Sequence, residues 1–527
     1  MYQLITGPYN GINFSSDYFI NPLFITEKRQ FFLGDMMSYQ KFARDVGFIG
    51  IVQILTSLSS FFLLPIITKT LGAYDYGLWA QINITVSLIS SLALMGLSMS
   101  FVRFLSSETD QNKIQEAVYS ILFFVTVSGF LASFILYIFA EPLATFGFKD
   151  PEATYFVQAG SLLILVSVVE SISLFYFRIF RQIEKYSYFT FFETFGKLLI
   201  ILILLKMGYG LIGVIAATLI VQGIIFLITL IIIISQIGFI IPRFTYIREY
   251  LQFSLPLTPN SLIRWVTESS DRYMVTYFLG LGSVGVYSAA CSVGNLIQFF
   301  VSPLQLILFP ELSKLFDHNK MDEVRIYMSH SLRYFLIIAI PAVFGLSALA
   351  KPLLSVLTTQ DFISGWFVIP IIALAGLMAG IFQIFVNTMF LIKETKPATY
   401  INIVAAVTNV LLNLILIPIP SIGILGAAFS TLVSYCLMAA FCVHISLKHF
   451  KLDFYYLDIA KSILSSMAMY FFVSSFTISG ILELFEAAGV GTIVYLIAMF
   501  LIGGFTDHEV SLMKKYLFRS KVNPSTK

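Results

Sequence analysis

The sequence predicts an all-α integral membrane protein of about 14 transmembrane helices, arranged as two pseudo-twofold-related six-helix lobes followed by two C-terminal helices. Three observations carry this expectation. Apolar windows long enough to cross a bilayer recur along the chain, basic residues fall almost wholly on alternate connections, and two short motifs recur six spans apart.

Hydrophobic residues make up 58% of the 527, and charged residues 12%, against about 25% charged in soluble domains. Mean hydropathy is +0.88. About twenty apolar residues are needed to cross about 30 Å of hydrocarbon. Fourteen windows meet that need: 46–68, 77–102, 117–140, 153–176, 187–206, 210–235, 251–278, 283–309, 327–350, 364–391, 398–418, 422–447, 457–478 and 488–505. The seventh holds four charges and is broken near Pro256 and Pro259.

With a cytoplasmic N-terminus and alternating sides, 25 of the 32 lysines and arginines lie inside. Four lie outside (Lys69, Lys149, Lys206, Lys351) and three within spans (Lys197, Arg264, Arg272). Such a bias supports both orientation and span count, because one missed span would scramble it. The expected protein is a multi-pass protein of the cell membrane with both termini cytoplasmic.

Leu71-Gly72, followed by Gly77-Leu78-Trp79-Ala80, recurs as Leu279-Gly280, followed by Gly285-Val286-Tyr287-Ser288, an offset of 208. Gly210 and Gly213 before Thr218-Leu219 recur as Gly423 and Gly426 before Thr431-Leu432, an offset of 213. The matches open spans two and eight, then six and twelve. An even repeat of six spans keeps both copies in one orientation, related by an axis along the membrane normal, with a cleft between them. The expected organisation is an N-terminal extension (1–40), disordered or read from an over-extended start; an N-lobe (41–235); a cytoplasmic linker (236–250); a C-lobe (251–447); two accessory spans (448–505); and a basic cytoplasmic tail (506–527).

Span seven carries Arg264, Glu268, Asp271 and Arg272 at i, i+4, i+7 and i+8, roughly one stripe of a helix. A charge at the bilayer centre costs about 2.5–3.5 kcal/mol, so this stripe must face other helices or a wet cavity. Glu268 lies one turn from both arginines and can partly neutralise them. Arginine forks match phosphate oxygens in pairs, which makes the stripe an anion-binding wall; an ion-pair lock between helices is the structural alternative. Pro256 and Pro259 add a hinge candidate. Glu193 and Lys197 sit at i, i+4 in span five, and Glu170 lies mid-helix in span four without a partner in its own helix. These suggest ion coupling or phosphate contact, against a self-cancelling structural pair. Asn402, Asn409 and Asn413 form another stripe, suited to interhelical packing. Arg103, at the end of span two, either snorkels or meets substrate at the cytoplasmic mouth. Trp79 and Trp366 fit an aromatic belt.

Cys291, Cys436 and Cys442 lie in apolar spans and read as small buried side chains, and the five histidines form no metal motif. No phosphate-loop motif occurs. No cofactor, metal or nucleic acid is expected, and uphill work must draw on a gradient or the membrane potential.

The run from Leu71 to Ala80, with Gly96 and Arg103-Phe104, resembles the opening of the polysaccharide-exporter branch of the multidrug/oligosaccharidyl-lipid/polysaccharide exporter superfamily, as does Ser270-Asp271-Arg272 with Phe278-Leu279-Gly280 and Gly285-Val286-Tyr287. The resemblance covers about 40–450. It implies a fold like that of the multidrug and toxin exporters and a non-enzymatic flippase. Such a flippase carries polyprenyl-diphosphate-linked glycans outward by alternating access. The basic residues it implies in the cavity are Arg103, Lys197, Arg264 and Arg272. Expected partners are the lipid-linked glycan, membrane lipids, a coupling ion (proton or sodium) and glycan-assembly enzymes. A multidrug/cation antiporter of the same fold is the nearest rival, but its cavity would want acidic residues. A membrane glycan polymerase or ligase would want a sizeable external loop, and the longest outside connections are about a dozen residues.

Overall fold

The computed structural model describes residues 22–506 and 509–511, with side chains essentially from residue 61 onward. All long elements among them are helices: α1 (Pro22–Ala93), α2 (Leu97–Leu105), α3 (Gln111–Ile138), the single turn α4 (Ala140–Pro142), α5 (Thr154–Ile179), α6 (Ile183–Lys206), α7 (Gly210–Ile237), α8 (Ile247–Ser254), α9 (Thr258–Leu279), α10 (Leu281–Gly294), α11 (Gln298–Asp317), α12 (Met321–Leu357), α13 (Val368–Leu391), α14 (Lys396–Leu416), α15 (Ile424–His449), α16 (Tyr456–Ser474) and α17 (Ile481–Leu501). Residues 1–21 and most of the basic tail lie outside the described chain. Of the expected extension (1–40), residues 1–21 lie outside the described residues and residues from Pro22 onward belong to helix α1.

Polar residues punctuate the helices. Asp110 caps α3, its side chain accepting from the Asn112 N–H at 3.0 Å. Asp150 accepts from the Glu152 N–H ahead of α5, with Pro151 at the first helical position. α1 is two helices joined without a loop: Gly72 breaks it at φ 75° and ψ −178°, a conformation only glycine takes readily. Gly280, its repeat partner, takes φ 84° and ψ 171° between α9 and α10.

Eleven helices are long and apolar enough to cross a membrane, or twelve if a pair bent by 46°, Phe61–Ala93 with Leu97–Leu105, is one span. Two of the fourteen expected spans are not in that count. The first window lies mostly before residue 61, where few side chains are described. The seventh, α9, carries too much charge to count as apolar. Window 283–309 is α10 and α11, joined through a 3₁₀ turn at Asn295–Ile297. Outward-facing side chains stay apolar, as with Ile231 and Leu501, 66% and 77% exposed, which suits lipid as solvent.

Helix contacts fall into two groups. The later part of α1, with α2, α3, α5, α6 and α7, packs together, as do α9 to α15. α16 and α17 join the second group through α12. Between the groups, α1 packs on α10 and α9, while α8 packs on α2.

The connection from α7 to α8 is fastened to the first group. The buried Glu116 carboxylate accepts the N–H groups of Arg243 at 2.9 Å and Thr245 at 3.2 Å. Tyr119 donates its hydroxyl to the Gly238 carbonyl at 2.5 Å, and Ser100 donates to the Tyr250 carbonyl at 2.7 Å. After α8 the chain passes one 3₁₀ turn, Leu255–Leu257, before α9. The break expected at Pro256 and Pro259 is therefore present, with Pro259 in the first turn of α9.

Candidate functional site

α9 lacks the apolar character of its neighbours, so its position follows from packing: α14, α10 and α15 of one group on one side, α1 of the other group beside it. Its four charged residues divide into two pairs. Asp271 is 4% exposed. Its Oδ1 accepts from the Arg272 backbone N–H at 2.8 Å and from Arg272 Nη1 at 3.3 Å, and its Oδ2 accepts from the Tyr287 hydroxyl at 2.5 Å. Arg272 Nη1 also donates to the Glu268 carbonyl at 2.8 Å, and the guanidinium lies 5.8 Å from the Tyr287 ring centroid. This pair is a built, buried unit.

Arg264 and Glu268 behave differently. Their closest approach is 4.0 Å, with side chains 74% and 55% exposed. The single stripe expected from spacing is therefore split: one end is locked into the protein and the other is open. The direct counter-ion of Arg272 is Asp271, while Glu268 supplies its backbone carbonyl and, at longer range, the charge of its carboxylate to both arginines. The adjacent pairing was hidden because neighbouring residues on a helix point apart, and it works here through one long guanidinium fork folding back.

Around this unit the asparagine stripe gains partners. Ser270 donates to Asn409 Oδ1 at 3.5 Å and Asn413 Nδ2 donates to the same oxygen at 2.9 Å. Both asparagines are fully buried, and Asn413 Oδ1 has no partner among the described residues. Across to α1, Thr276 donates to Gln81 Oε1 at 3.2 Å, Thr85 and the Tyr273 hydroxyl share a 2.5 Å hydrogen bond, and Trp265 Nε1 donates to the Ile84 carbonyl at 3.3 Å. Sequence reasoning missed Tyr287, Tyr273, Gln81 and Thr85. Tyr287 sat inside the repeated motif, sixteen residues after Asp271, and a buried hydroxyl needs a partner. The others lacked any periodic signal.

In the first group Lys197 Nζ and Glu193 Oε1 meet at 2.5 Å, about one-fifth exposed each. Glu170 on α5 is 3% exposed, within electrostatic reach of that pair and beside Gln222, yet its Oε1 has no hydrogen-bond partner among the described residues. Ser167 donates to Gln222 Oε1 at 3.2 Å. Arg103 lies exposed in the last turn of α2. The structure thus builds two charged clusters, one on α9 and one on α5 and α6, and among the described residues no ion pair or hydrogen bond joins them to each other or to Arg103.

A further buried ion cluster was not expected. Arg333 was counted with the cytoplasmic basic residues, but it lies within α12 and is 2% exposed. It donates to Asp458 on α16 at 2.6 Å and to Glu509 at 2.5 Å. Burial works against ionising Glu509, but Arg333 and the Thr506 N–H hold its carboxyl down to about 2. Cys291 and Cys442 are buried and Cys436 is half-buried, all three free, as the apolar windows implied. No cluster of three metal-ligating side chains occurs among the described residues.

Two cavities lie away from these charges. One, about 320 Å³, is lined by Phe61, Trp79, Asn83, Ser292, Asn295 and Phe299, among others, where α1 meets α10 and α11. The other, about 260 Å³, sits between α12 and α16 and is lined by Phe344, Ser347, Met467 and Tyr470, among others.

Long apolar helices, with one charged helix packed among them, define a polytopic membrane protein. The comparisons agree. The family model described as polysaccharide biosynthesis protein matches residues 66–365, more than half of the chain. The chain belongs to that family. It is 26% identical over 348 residues to the succinoglycan biosynthesis transport protein ExoT of Rhizobium meliloti, covering 64% of this chain and 66% of that one. It is 23% identical over 258 residues to the probable low-salt glycan biosynthesis flippase Agl15 of Haloferax volcanii, covering 48% and 54%. The chain therefore spans about half to two thirds of these relatives' length. In structure it is similar to the lipid II flippase MurJ in an inward closed conformation, with a TM-score of 0.71, 18% identity, and coverage of 89% of this chain and 99% of that one.

Proposed function

We propose that this protein is a flippase that moves polyprenyl-diphosphate-linked oligosaccharide or polysaccharide precursors from the cytoplasmic to the external leaflet by alternating access. The two helix groups are its lobes, and the end carrying the α7–α8 connection faces the cytoplasm. The observation that carries this reading is the division of α9 into a locked pair, Asp271–Arg272, and an open pair, Arg264–Glu268, on a helix lying between the groups.

The chemistry follows from that division. A diphosphate carries charge that a bilayer interior cannot solvate, so a carrier must supply fixed cations. Arg264 is held to Glu268 only at 4.0 Å and can exchange that partner for phosphate oxygens. Arg272, already oriented by Asp271, Tyr287 and the Glu268 carbonyl, offers a preorganised charge about two turns further along. The glycan occupies the wet cleft and the isoprenoid tail stays in lipid. Rocking of the lobes turns at Leu255–Leu257, with Pro256 and Pro259 as hinge residues. Arg103 and Lys197 act as further basic contacts.

Uphill movement draws on an ion, a proton or sodium. Glu170, buried with an unpartnered oxygen beside Glu193 and Lys197, is the proton candidate.

The test is a flipping assay with a fluorescent lipid-linked oligosaccharide in proteoliposomes. The native chain is expected to expose the probe to an external quencher, and Arg264→Ala and Arg272→Ala to abolish this at equal protein amounts. Normal flipping by a stably reconstituted Arg272→Ala would refute the role given to it. Binding of lipophilic cations without binding of diphosphate lipids would favour an antiporter of the same fold.

A further inference from the structure

The two copies of the repeat touch at their most similar residues. Gly77 in α1 and Gly285 in α10 are 208 apart in sequence, as are Ala73 and Leu281 one turn earlier in each helix. A Cβ built on Gly77 would overlap the carbonyl oxygen of Leu281 and lie 2.9 Å from the Gly285 nitrogen. A Cβ built on Gly285 would overlap the carbonyl oxygen of Ala73 and lie 3.1 Å from the Gly77 nitrogen. The contact is reciprocal, as across a twofold axis. Its tightness comes from backbone against backbone, which cannot give way as a flexible side chain can. Glycines allow such an approach of two helices.

Bridges between the groups cluster near this crossing. Gln81 and Thr276, and Thr85 and Tyr273, tie α1 to α9. The Lys149 ammonium sits 3.8 Å over the Tyr277 ring, linking the loop before α5 to the end of α9. Asn83 and Ser292, one and a half to two turns further along their helices, line the cavity of about 320 Å³. The cavity runs alongside the glycine contact, with Tyr76 and Trp79 on either side of Gly77 also lining it.

We propose that the Gly77–Gly285 crossing is the external gate of the transporter: a dry backbone contact on the pseudo-twofold axis that seals the cleft here and must part to open it outward. The inference rests on alternating access by two lobes. An added methyl group at either glycine meets backbone, so it props the gate open, and the repeat symmetry makes the two substitutions equivalent. Gly282, in the same helix as Gly285, has open space for a Cβ. Gly280 also has space, but its φ of +84° strains any side chain there.

The experiment reads access rather than transport. Asn83→Cys is placed in the chain, which is reconstituted in sealed vesicles and labelled with a membrane-impermeant maleimide from the external side, with the unsubstituted chain as blank. Gly77→Ala and Gly285→Ala are each expected to raise the labelling rate about tenfold or more, from the usual penalty of overpacking. Gly282→Ala is expected to leave it unchanged, and Gly280→Ala to lower stability without changing access. Unchanged labelling in both Gly77→Ala and Gly285→Ala, while the native chain alternates, would overturn the gate and leave the flippase reading intact. Absence of external labelling in every form, together with absence of flipping, would instead remove alternating access itself. Should the alanine variants not fold, Gln81→Cys with Thr276→Cys tests the same gate. A short bifunctional thiol reagent bridging them is expected to stop flipping, and cleavage of the bridge to restore it. Full flipping with the bridge complete would overturn the proposal.

Discussion

Removing the Arg272 guanidinium separates what this side chain does for stability from what it does for transport. Asp271 is 4% exposed and has three donors: the Arg272 backbone N–H, Arg272 Nη1 and the Tyr287 hydroxyl. Arg272→Ala leaves two of these donors but no counter-ion. Stripping one partner from a buried ion pair costs about 3–5 kcal/mol, and the two surviving hydrogen bonds put Arg272→Ala near the lower end, about 3 kcal/mol. Asp271→Asn leaves Arg272 with the Glu268 carbonyl and the Tyr287 ring, and is expected to cost about 2 kcal/mol. In the double variant neither charge is stranded, so the losses should fall short of their sum by about 2 kcal/mol, within the range measured for contacting residues. Stability is read from unfolding of the protein in detergent, and transport from the flipping assay. The double variant should therefore lose about 3 kcal/mol, no more than Arg272→Ala alone, and yet remain inactive. Strict additivity of the two substitutions would refute the pairing, and restored flipping in the double variant would refute the direct role of the guanidinium.

Other outcomes follow from the same geometry. Tyr287→Phe removes a hydrogen bond to a buried carboxylate and should cost about 1.5–3 kcal/mol in unfolding, with flipping reduced rather than abolished; an unchanged unfolding midpoint would contradict the contact. Glu170→Gln should make flipping indifferent to an imposed proton gradient, and an undiminished response would remove Glu170 from coupling. Arg333→Ala strands Asp458 and Glu509 and should free the segment after α17 for limited proteolysis, a large effect because both carboxylates lose their shared cation. The folded-state carboxyl of Glu509 titrates at about 2, below its unfolded value of about 4.3. Its contribution is therefore fully present above that value and is lost as pH falls towards 2. Proteolysis of the native chain should rise across that window, and Glu509→Gln should flatten the rise.

Much of this architecture was legible in the residues. The windows located the apolar helices because lipid demands unbroken apolar length, and the break at Pro256 and Pro259 was visible because proline cannot continue a helix. The repeat motifs were legible too: Gly72 and Gly280 share one backbone conformation. The site was only half legible. Helical spacing put Arg264, Glu268, Asp271 and Arg272 roughly on one stripe, but spacing cannot say which neighbour fills the other side. Thus Asp271–Arg272 turned inward while Arg264–Glu268 stayed open. Tyr287 and Gln81 are separated from their partners by sixteen and 195 residues, and no local pattern encodes such pairings. Arg333 misled for a similar reason: its charge suited the inside count, while its burial depended on Asp458 and Glu509, more than a hundred residues away.

The fastening of the α7–α8 connection has a mechanical consequence. With Glu116, Tyr119 and Ser100 holding residues 238–250 against the first group, the covalent joint shrinks from a tether to a bearing three residues long. In the rocking proposed for the lobes, α9, 22 residues and so about 33 Å from end to end, would act as a lever pivoted at one tip. Ten degrees of rotation at that bearing sweeps the opposite tip through about 6 Å, roughly the breadth of a sugar ring, so a small torsional adjustment suffices for a large displacement of the arm.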